Sequence, residues 1–497
     1  MRKRTDSPGL GSLGSAALTA TSLIVVSGFA AVVGVLIARE FGRTDETDGF
    51  FAAYGVFVVV VTASQAIRVA VLPSLARARA AGQLAATATG FATALALVGV
   101  PLVLVALFAS DRLAQVLTGD GSEIAREACA HALQWIVPAA VAHLFIALAA
   151  STFAALDDYG TPALGYAAGS AAGLAYIITH TDSDGIVAVS RGMAASAAVA
   201  LLTLLAAMAW RAHRTSMPVS AARPAGEALH NRLALFLVAA AIPLSLQLAY
   251  VVSVPFAGRL GPGAVTSFGY AYLAATTLAG ITAFSIGLVS SVPLSRIELT
   301  PAAAARHVVA AAWVALVIIG AAVGMLAVAG AELVEAFLGA AYGDDVGDEV
   351  AALIVVFSAW MVAAVGVNVT FPLAFVTHRL RALPWIGVAA LVVQLVLAWV
   401  GVELFGLDGL AFSLALSTLF VLAALLTQLD AAGHGLRGIA LAAAVIAAFA
   451  VVAFGPPGLI VGGTVGALLG LALYVALVLV VRPAGLRESW SYLRALR

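Results

Sequence analysis

The sequence predicts an all-α integral membrane protein of about 14 transmembrane helices, in two six-helix lobes related by a pseudo-two-fold axis, plus a C-terminal helix pair. Three observations carry this expectation. The chain is 63% hydrophobic and 10% charged over 497 residues, with a mean hydropathy of +1.08. Its apolar runs repeatedly reach the roughly 20 residues that a helix needs to cross about 30 Å of hydrocarbon, and a helix satisfies its own backbone, as lipid demands. The second half of the chain also looks like a copy of the first.

The first apolar run, 13–38, follows Arg2-Lys3-Arg4. It is long for a signal-peptide core and ends at Arg39 without a clear cleavage pattern, so it reads as a span. Further spans are expected at 50–76, 84–109, 128–156, 160–179 and 186–210. The fourth and fifth are joined only by Asp157-Asp158-Tyr159, which reads as a tight turn before Pro162. Beyond a linker, spans are expected at 231–257, 264–292, 304–330, 350–376, 383–402, 406–428, 436–454 and 458–481. The resulting division is a tail at 1–12, an N-lobe at 13–210, a linker at 211–230, a C-lobe at 231–428, the extra pair at 436–481 and a tail at 482–497.

Basic residues orient this scheme. With an even number of spans, 18 of the 25 Lys and Arg fall on the side of both termini, among them Arg77, Arg79, Arg211, Arg306 and Arg437. The positive-inside rule then makes both termini cytoplasmic. Arg39, Arg43, Arg112, Arg126, Arg191 and Arg259 fall outside. The repeat shows in two offsets: Pro73 and Pro293 are 220 residues apart, and Pro162 and Pro384 are 222 apart. Lobes of six spans share one orientation, the parallel repeat of alternating-access transporters.

The single cysteine, Cys129, excludes an internal disulfide and a cysteine metal cluster. There is no HExxH, no CxxC and no Walker-type phosphate loop. No metal, no cofactor and no nucleic-acid partner is expected, and the chain reads as a transporter rather than an enzyme.

Ionisable groups within hydrocarbon are costly and normally face the bundle interior. Arg68, with Gln65 and Ser64 within a turn of it, is the leading candidate for a cavity cation that receives a phosphate. The alternative is an arginine that snorkels to the headgroups. Glu127, His131 and Gln134 share one helical face; they are either a wall for a coupling ion or a polar collar at the outer interface. Gln247, Tyr250 and Tyr270 could bind sugar hydroxyls or simply join helices. Arg39 and Asp48 flank the first outer loop as candidate gate residues or as solvated charge.

The run Ala38-Arg39-Glu40-Phe41-Gly42, then Thr47-Asp48-Gly49-Phe50-Phe51-Ala52-Ala53, Ser64-Gln65-Ala66 and Leu72-Pro73-Ser74-Leu75 resembles the start of the MurJ/MviN lipid II flippases, within the multidrug/oligosaccharidyl-lipid/polysaccharide exporter superfamily. The resemblance implies two lobes around a central cavity, a groove for a lipid tail at the last helix pair, and a polyprenyl-pyrophosphate-linked peptidoglycan precursor as substrate. It also implies a bacterial cytoplasmic membrane, with lipid, a coupling ion and cell-wall synthesis proteins as partners. Three stretches depart from the family pattern. Val26–Gly34, Val56–Thr62 and Gly269–Leu273 carry no charge where the family has arginines or an aspartate. They keep two alternatives open: an exporter of another lipid-linked glycan or small amphipathic compound, and a transport-dead scaffold of cell-envelope assembly.

Overall fold

Apolar runs punctuated by glycine, proline and charge become helices along the chain. The computed structural model describes residues 32–215, 229–294, 300–376 and 380–495; it does not describe the side chains of 65–70, 214–215, 229–233, 235, 281, 283–294, 344, 375–376, 493 and 495. Among the described residues there is no strand. The helices are α1 (32–41), α2 (Asp45–Ala80), α3 (Leu84–Phe108), α4 (Ser110–Thr118), α5 (Glu123–Ala155), α6 (Gly160–Asp184), α7 (Val187–Thr215) and α8 (Leu229–Gly258). They continue as α9 (Ala264–Leu294), α10 (Pro301–Leu338), a 3-10 turn η1 (Ala340–Tyr342), α11 (Asp344–Val356), α12 (Ser358–Val376), α13 (Leu383–Gln428), α14 (Ala432–Ile460), α15 (Gly463–Val481) and α16 (Ala484–Ala495). Among the described residues nine helices are long and apolar enough to cross a membrane, or up to ten if the bent pair α11–α12 forms one span.

Most of the span expected at 13–38 lies outside the described residues. Elsewhere the differences from the expected spans are local and physical. The span expected at 350–376 breaks into α11 and α12 at Phe357. The division expected between 383–402 and 406–428 is present within α13, whose helix is interrupted where Gly406 adopts φ 57, ψ −131. The backbones of Gly401 and Gly409 meet across that interruption: a methyl group on Gly401 would lie 2.5 Å from the Gly409 carbonyl oxygen. α14 runs on through Pro456-Pro457 to Ile460, so the last break falls at Gly462-Gly463, both at positive φ. Two short amphipathic helices were not expected: α4 between α3 and α5, and α16 in the C-terminal tail.

The chain divides into two compact units. The first comprises the described parts of Met1–Phe41, Ala52–Leu117 and Glu123–Gln247; the second comprises those of Gly42–Phe51, Thr118–Ser122 and Leu248–Arg497.

In the first unit α5 is buried along nearly its whole length. One side packs Leu144 and Leu148 with Leu75, Phe91 and Leu95; the other packs Ile146 and Phe153 with Ala197 and Leu204. α6 meets α7 along a stripe of Gly165, Gly169 and Gly173, one per turn. Small residues at this spacing let helix backbones approach closely, which in lipid replaces the missing hydrophobic drive with dispersion contact. The Asp157-Asp158 turn, with Asp157 at φ 61, is held by ion pairs to Arg79 at 2.5 Å and Arg211 at 2.8 Å. Asp158 also caps α6 by accepting from the Thr161 backbone N–H at 3.0 Å.

In the second unit α10 is the central helix, packed by α9, α11, α12, α14, α15 and α16. Fully buried Gln394 joins α8 to both arms of α13. Its amide donates to Ser253 and Ser413 Oγ, each at 2.9 Å, and its carbonyl accepts from Ser417 Oγ at 2.6 Å. All three serines also bond carbonyls of their own helices. Gln394→Leu therefore strands no hydroxyl and is expected to cost only about 1 kcal/mol, read as a small fall in the unfolding midpoint in detergent.

Candidate functional site

Within the second unit, the loop before α2 and its first turns dock against the start of α9. Thr44 precedes α2 and pairs reciprocally with Thr47: Thr44 N–H donates to Thr47 Oγ1 at 2.8 Å, and Thr47 Oγ1 donates to the Thr44 carbonyl at 2.7 Å. This local cap sets the first turn. It leaves the carboxylate of the next residue, Asp48, directed at a different helix.

The free backbone N–H groups at a helix start need acceptors and favour an anion. Asp48 is 6% exposed and supplies both. Its Oδ2 accepts from Gly263 N–H at 2.6 Å, and its Oδ1 accepts from Thr266 N–H at 2.7 Å and Thr266 Oγ1 at 2.5 Å. Thr266 Oγ1 also lies 3.1 Å from Thr47 Oγ1. A carboxylate from α2 thus caps α9, more than 200 residues later.

Arg43 closes the same seam. Its Nε donates to the Gly263 carbonyl at 2.9 Å, and its two terminal nitrogens grip Glu349 of α11 at 2.9 and 3.1 Å. A planar guanidinium suits this two-pronged hold on a carboxylate. Gly263, at φ +79, lies so close that any Cβ there would collide with the Arg43 side chain. Tyr342 of η1, fully buried, donates to the Gly42 carbonyl at 3.1 Å. Burial pushes the Tyr342 hydroxyl well up, outweighing the opposite pulls of Tyr270 and Arg43, so it remains a proton donor. Phe51 packs edge-on to Tyr270 at 4.8 Å and fills the space left by Gly269, where a methyl group would lie 2.7 Å from the Phe51 ring. Arg43 and Glu349 are partly exposed, so their pair is worth only about 1 kcal/mol. Arg43→Gln is expected to raise hydrogen exchange over residues 42–51 by about fivefold.

The sequence candidates fall in different places. Asp48 is in the seam. Tyr270 lies beside it, 5.5 Å from Tyr342 between ring centres. Tyr250 stacks on Tyr272 at 4.2 Å and on Phe268 at 5.6 Å; it is 3% exposed and sits in an aromatic cluster. Gln247 is half-buried on α8. Ser64 is buried and donates to the Val61 carbonyl of its own helix at 2.6 Å. Gln65 and Arg68 lie on α2, but their side chains fall outside the described residues. Arg39 is exposed at the end of α1. Glu127 and His131 are exposed on α5, while Gln134 donates to Ser110 Oγ at 3.2 Å.

Sequence reasoning missed Arg43 as a site residue, and with it Gly263, Thr266, Tyr342 and Glu349. One signal was present. Arg43 and its partner Gly263 are 220 residues apart, the same offset as Pro73 and Pro293.

The family model described as "Lipid II flippase MurJ" matches residues 37–469. No curated protein sequence matches the chain. Among solved structures, a lipid II flippase MurJ in an inward closed conformation is similar at TM-score 0.69 and 16% identity, covering 95% of this chain and 99% of that one. An inward-facing multidrug resistance MATE family transporter of the MOP superfamily is similar at TM-score 0.65 and 14% identity, covering 83% of this chain and 94% of that one. A MOP superfamily transporter from Pyrococcus furiosus is similar at TM-score 0.55 and 14% identity, covering 89% and 99%.

Proposed function

This chain belongs to the lipid II flippase MurJ family, and we propose that it moves a polyprenyl-pyrophosphate-linked peptidoglycan precursor across the bacterial cytoplasmic membrane by alternating access. The observation that carries the reading is the family match over residues 37–469, which takes in parts of both compact units. No bond is made or broken in such a step. The protein has only to expose one binding region to each side in turn, and this requires contacts that close one end and can be released.

The Asp48–Thr266 and Arg43–Glu349 seam suits the outer gate. Its polar part is a set of directional hydrogen bonds and one ion pair, which break together when the two helices part, beside the buried packing of Phe51 on Tyr270. The outer assignment rests on the basic residues. The ion pairs support the alternation of sides, though not its direction, since each joins two residues that the even-span scheme places on the same side: Arg79 with Asp157, Arg211 with Asp158, Arg259 with Asp120 and Arg43 with Glu349. On this scheme both termini are cytoplasmic. Arg68 is the candidate phosphate contact, with Gln65 and Ser64 beside it and Gln247 a further polar group for the saccharide. Glu127 and His131, exposed on α5, are the candidates for ion coupling, and Arg39 is a second charge for the outer gate.

One observation favours a second reading, export of another lipid-linked glycan or an amphipathic compound. The stretch Gly269–Leu273 holds no charge, and its tyrosines are packed in aromatic contacts. Complementation of a host depleted of its own lipid II flippase separates the two. Rescue by the chain, lost with Arg68→Ala at equal membrane abundance, is expected for a lipid II flippase. Good expression without rescue would move the substrate elsewhere, and rescue by Arg68→Ala would remove Arg68 from the site.

A further inference from the structure

The C-terminal helix carries an arrangement that the flippase reading does not use. α15 is an apolar span ending at Val481. Arg482 then turns the chain in a left-handed conformation, φ 43, ψ 68, and α16 starts at Ala484. A helix that begins so soon after a span lies at the membrane surface. Its two faces differ. Gly485 lies against the Trp313 ring, close enough that a methyl group there would approach it to 2.6 Å. Two turns later, Tyr492 meets His307 at 6.0 Å between ring centres. These residues fasten α16 to the first turns of α10.

The other face carries Arg487, Trp490 and Arg494, at spacings of three and four, and all three are exposed. The Arg494 guanidinium lies over the Trp490 ring at 5.9 Å, and that ring is 56% exposed. Exposed Arg306, at the start of α10, adds charge beside α16. It directly precedes His307, whose ring meets Tyr492 of α16. α16 itself holds one carboxylate, Glu488.

We propose that α16 and the start of α10 form a surface site for anionic phospholipid headgroups. Trp490 would sit at headgroup level, with Arg487, Arg494 and Arg306 on the phosphates. A tryptophan between two arginines on one face of an amphipathic helix suits the boundary between headgroups and acyl chains. Guanidinium groups also bind phosphate oxygens in pairs. α16 lies beyond the residues matched by the family model, and the proposal does not depend on what the chain transports.

The test uses the full chain in phosphatidylcholine vesicles with stepwise phosphatidylglycerol. Quenching of Trp490 by brominated lipid is read as the difference between the chain and its Trp490→Phe variant. Brominated phosphatidylglycerol is expected to quench at much lower mole fraction than brominated phosphatidylcholine. Arg487→Gln with Arg494→Gln is expected to weaken that preference by about thirty-fold, roughly fivefold per arginine, and high salt to weaken it in the same direction. Arg487→Lys with Arg494→Lys keeps both charges and is expected to keep the preference, which guards against a misfolded Gln pair. Equal quenching by the two lipids, quenching by neither, or a preference that survives the Gln pair would each overturn the site.

Discussion

Asp48→Ala is expected to open the seam and abolish rescue of a flippase-depleted host. The substitution leaves the N–H groups of Gly263 and Thr266 buried without the acceptor they now share. Each stranded donor costs about 1–3 kcal/mol. A total near 3 kcal/mol lowers the population of the closed seam by about 150-fold. The readout is direct because the chain has one cysteine, buried Cys129. In a Cys129→Ala background, Ser267→Cys places a thiol at a fully buried position beside Thr266. A membrane-impermeant maleimide should leave that thiol unlabelled in the parent and label it about 100-fold faster with Asp48→Ala. Asp48→Asn should fall between the two, since one amide oxygen can still accept from Thr266 while its NH₂ faces Gly263 N–H. Unchanged labelling alongside lost rescue would mean that Asp48 matters for transport but does not hold the seam. Normal rescue with Asp48→Ala would remove the gate altogether.

Gly169→Leu is expected to break the first unit. A Cβ on Gly169 would lie 2.5 Å from the Ser196 carbonyl and 2.8 Å from Ala200 Cβ, and one on Gly173 would lie 2.7 Å from the Gly192 carbonyl. The obstacle at each position is α7 backbone, which cannot move aside as a side chain would. Separating α6 from α7 to admit a leucine loses the close packing along the whole stripe. The expected cost is about 3 kcal/mol, seen as loss of the single symmetric peak on size exclusion in detergent. Gly455→Ala is the control: nothing lies within 4 Å of a Cβ there, so its midpoint should stay within about 0.5 kcal/mol of the parent. Equal behaviour of the two variants would show that the glycine stripe does not hold the helices together.

Legibility followed the range of each interaction. Helices were readable because a membrane span must satisfy its own backbone, so about 20 apolar residues suffice to mark one. The Asp157-Asp158 turn was readable for a similar local reason. The interruption of α13 at Gly406 falls where the expected spans 383–402 and 406–428 part, but the break at Phe357 was not readable, because an apolar run looks the same whether it stays straight or bends. α16 was overlooked because a 12-residue amphipathic helix adds little hydropathy, although its Arg487, Trp490, Arg494 spacing stands in the sequence. Arg43 was counted only as an outer charge. Nothing local to it or to Glu349 announces a partner 306 residues away.

The sequence by itself determined the membrane class, most of the long apolar helices and the family motif around Asp48, since hydropathy and caps act within a few turns. The tertiary structure alone decided that Asp48 caps α9, that Arg43 clamps Glu349 and that Tyr250 and Tyr270 are packed among aromatic rings. The physical reason is that an N-cap within one helix is a matter of spacing, whereas a cap supplied from another helix depends on where packing brings the two together. A carboxylate near a span end reads equally as solvated loop charge or as a buried lock until its donors are seen.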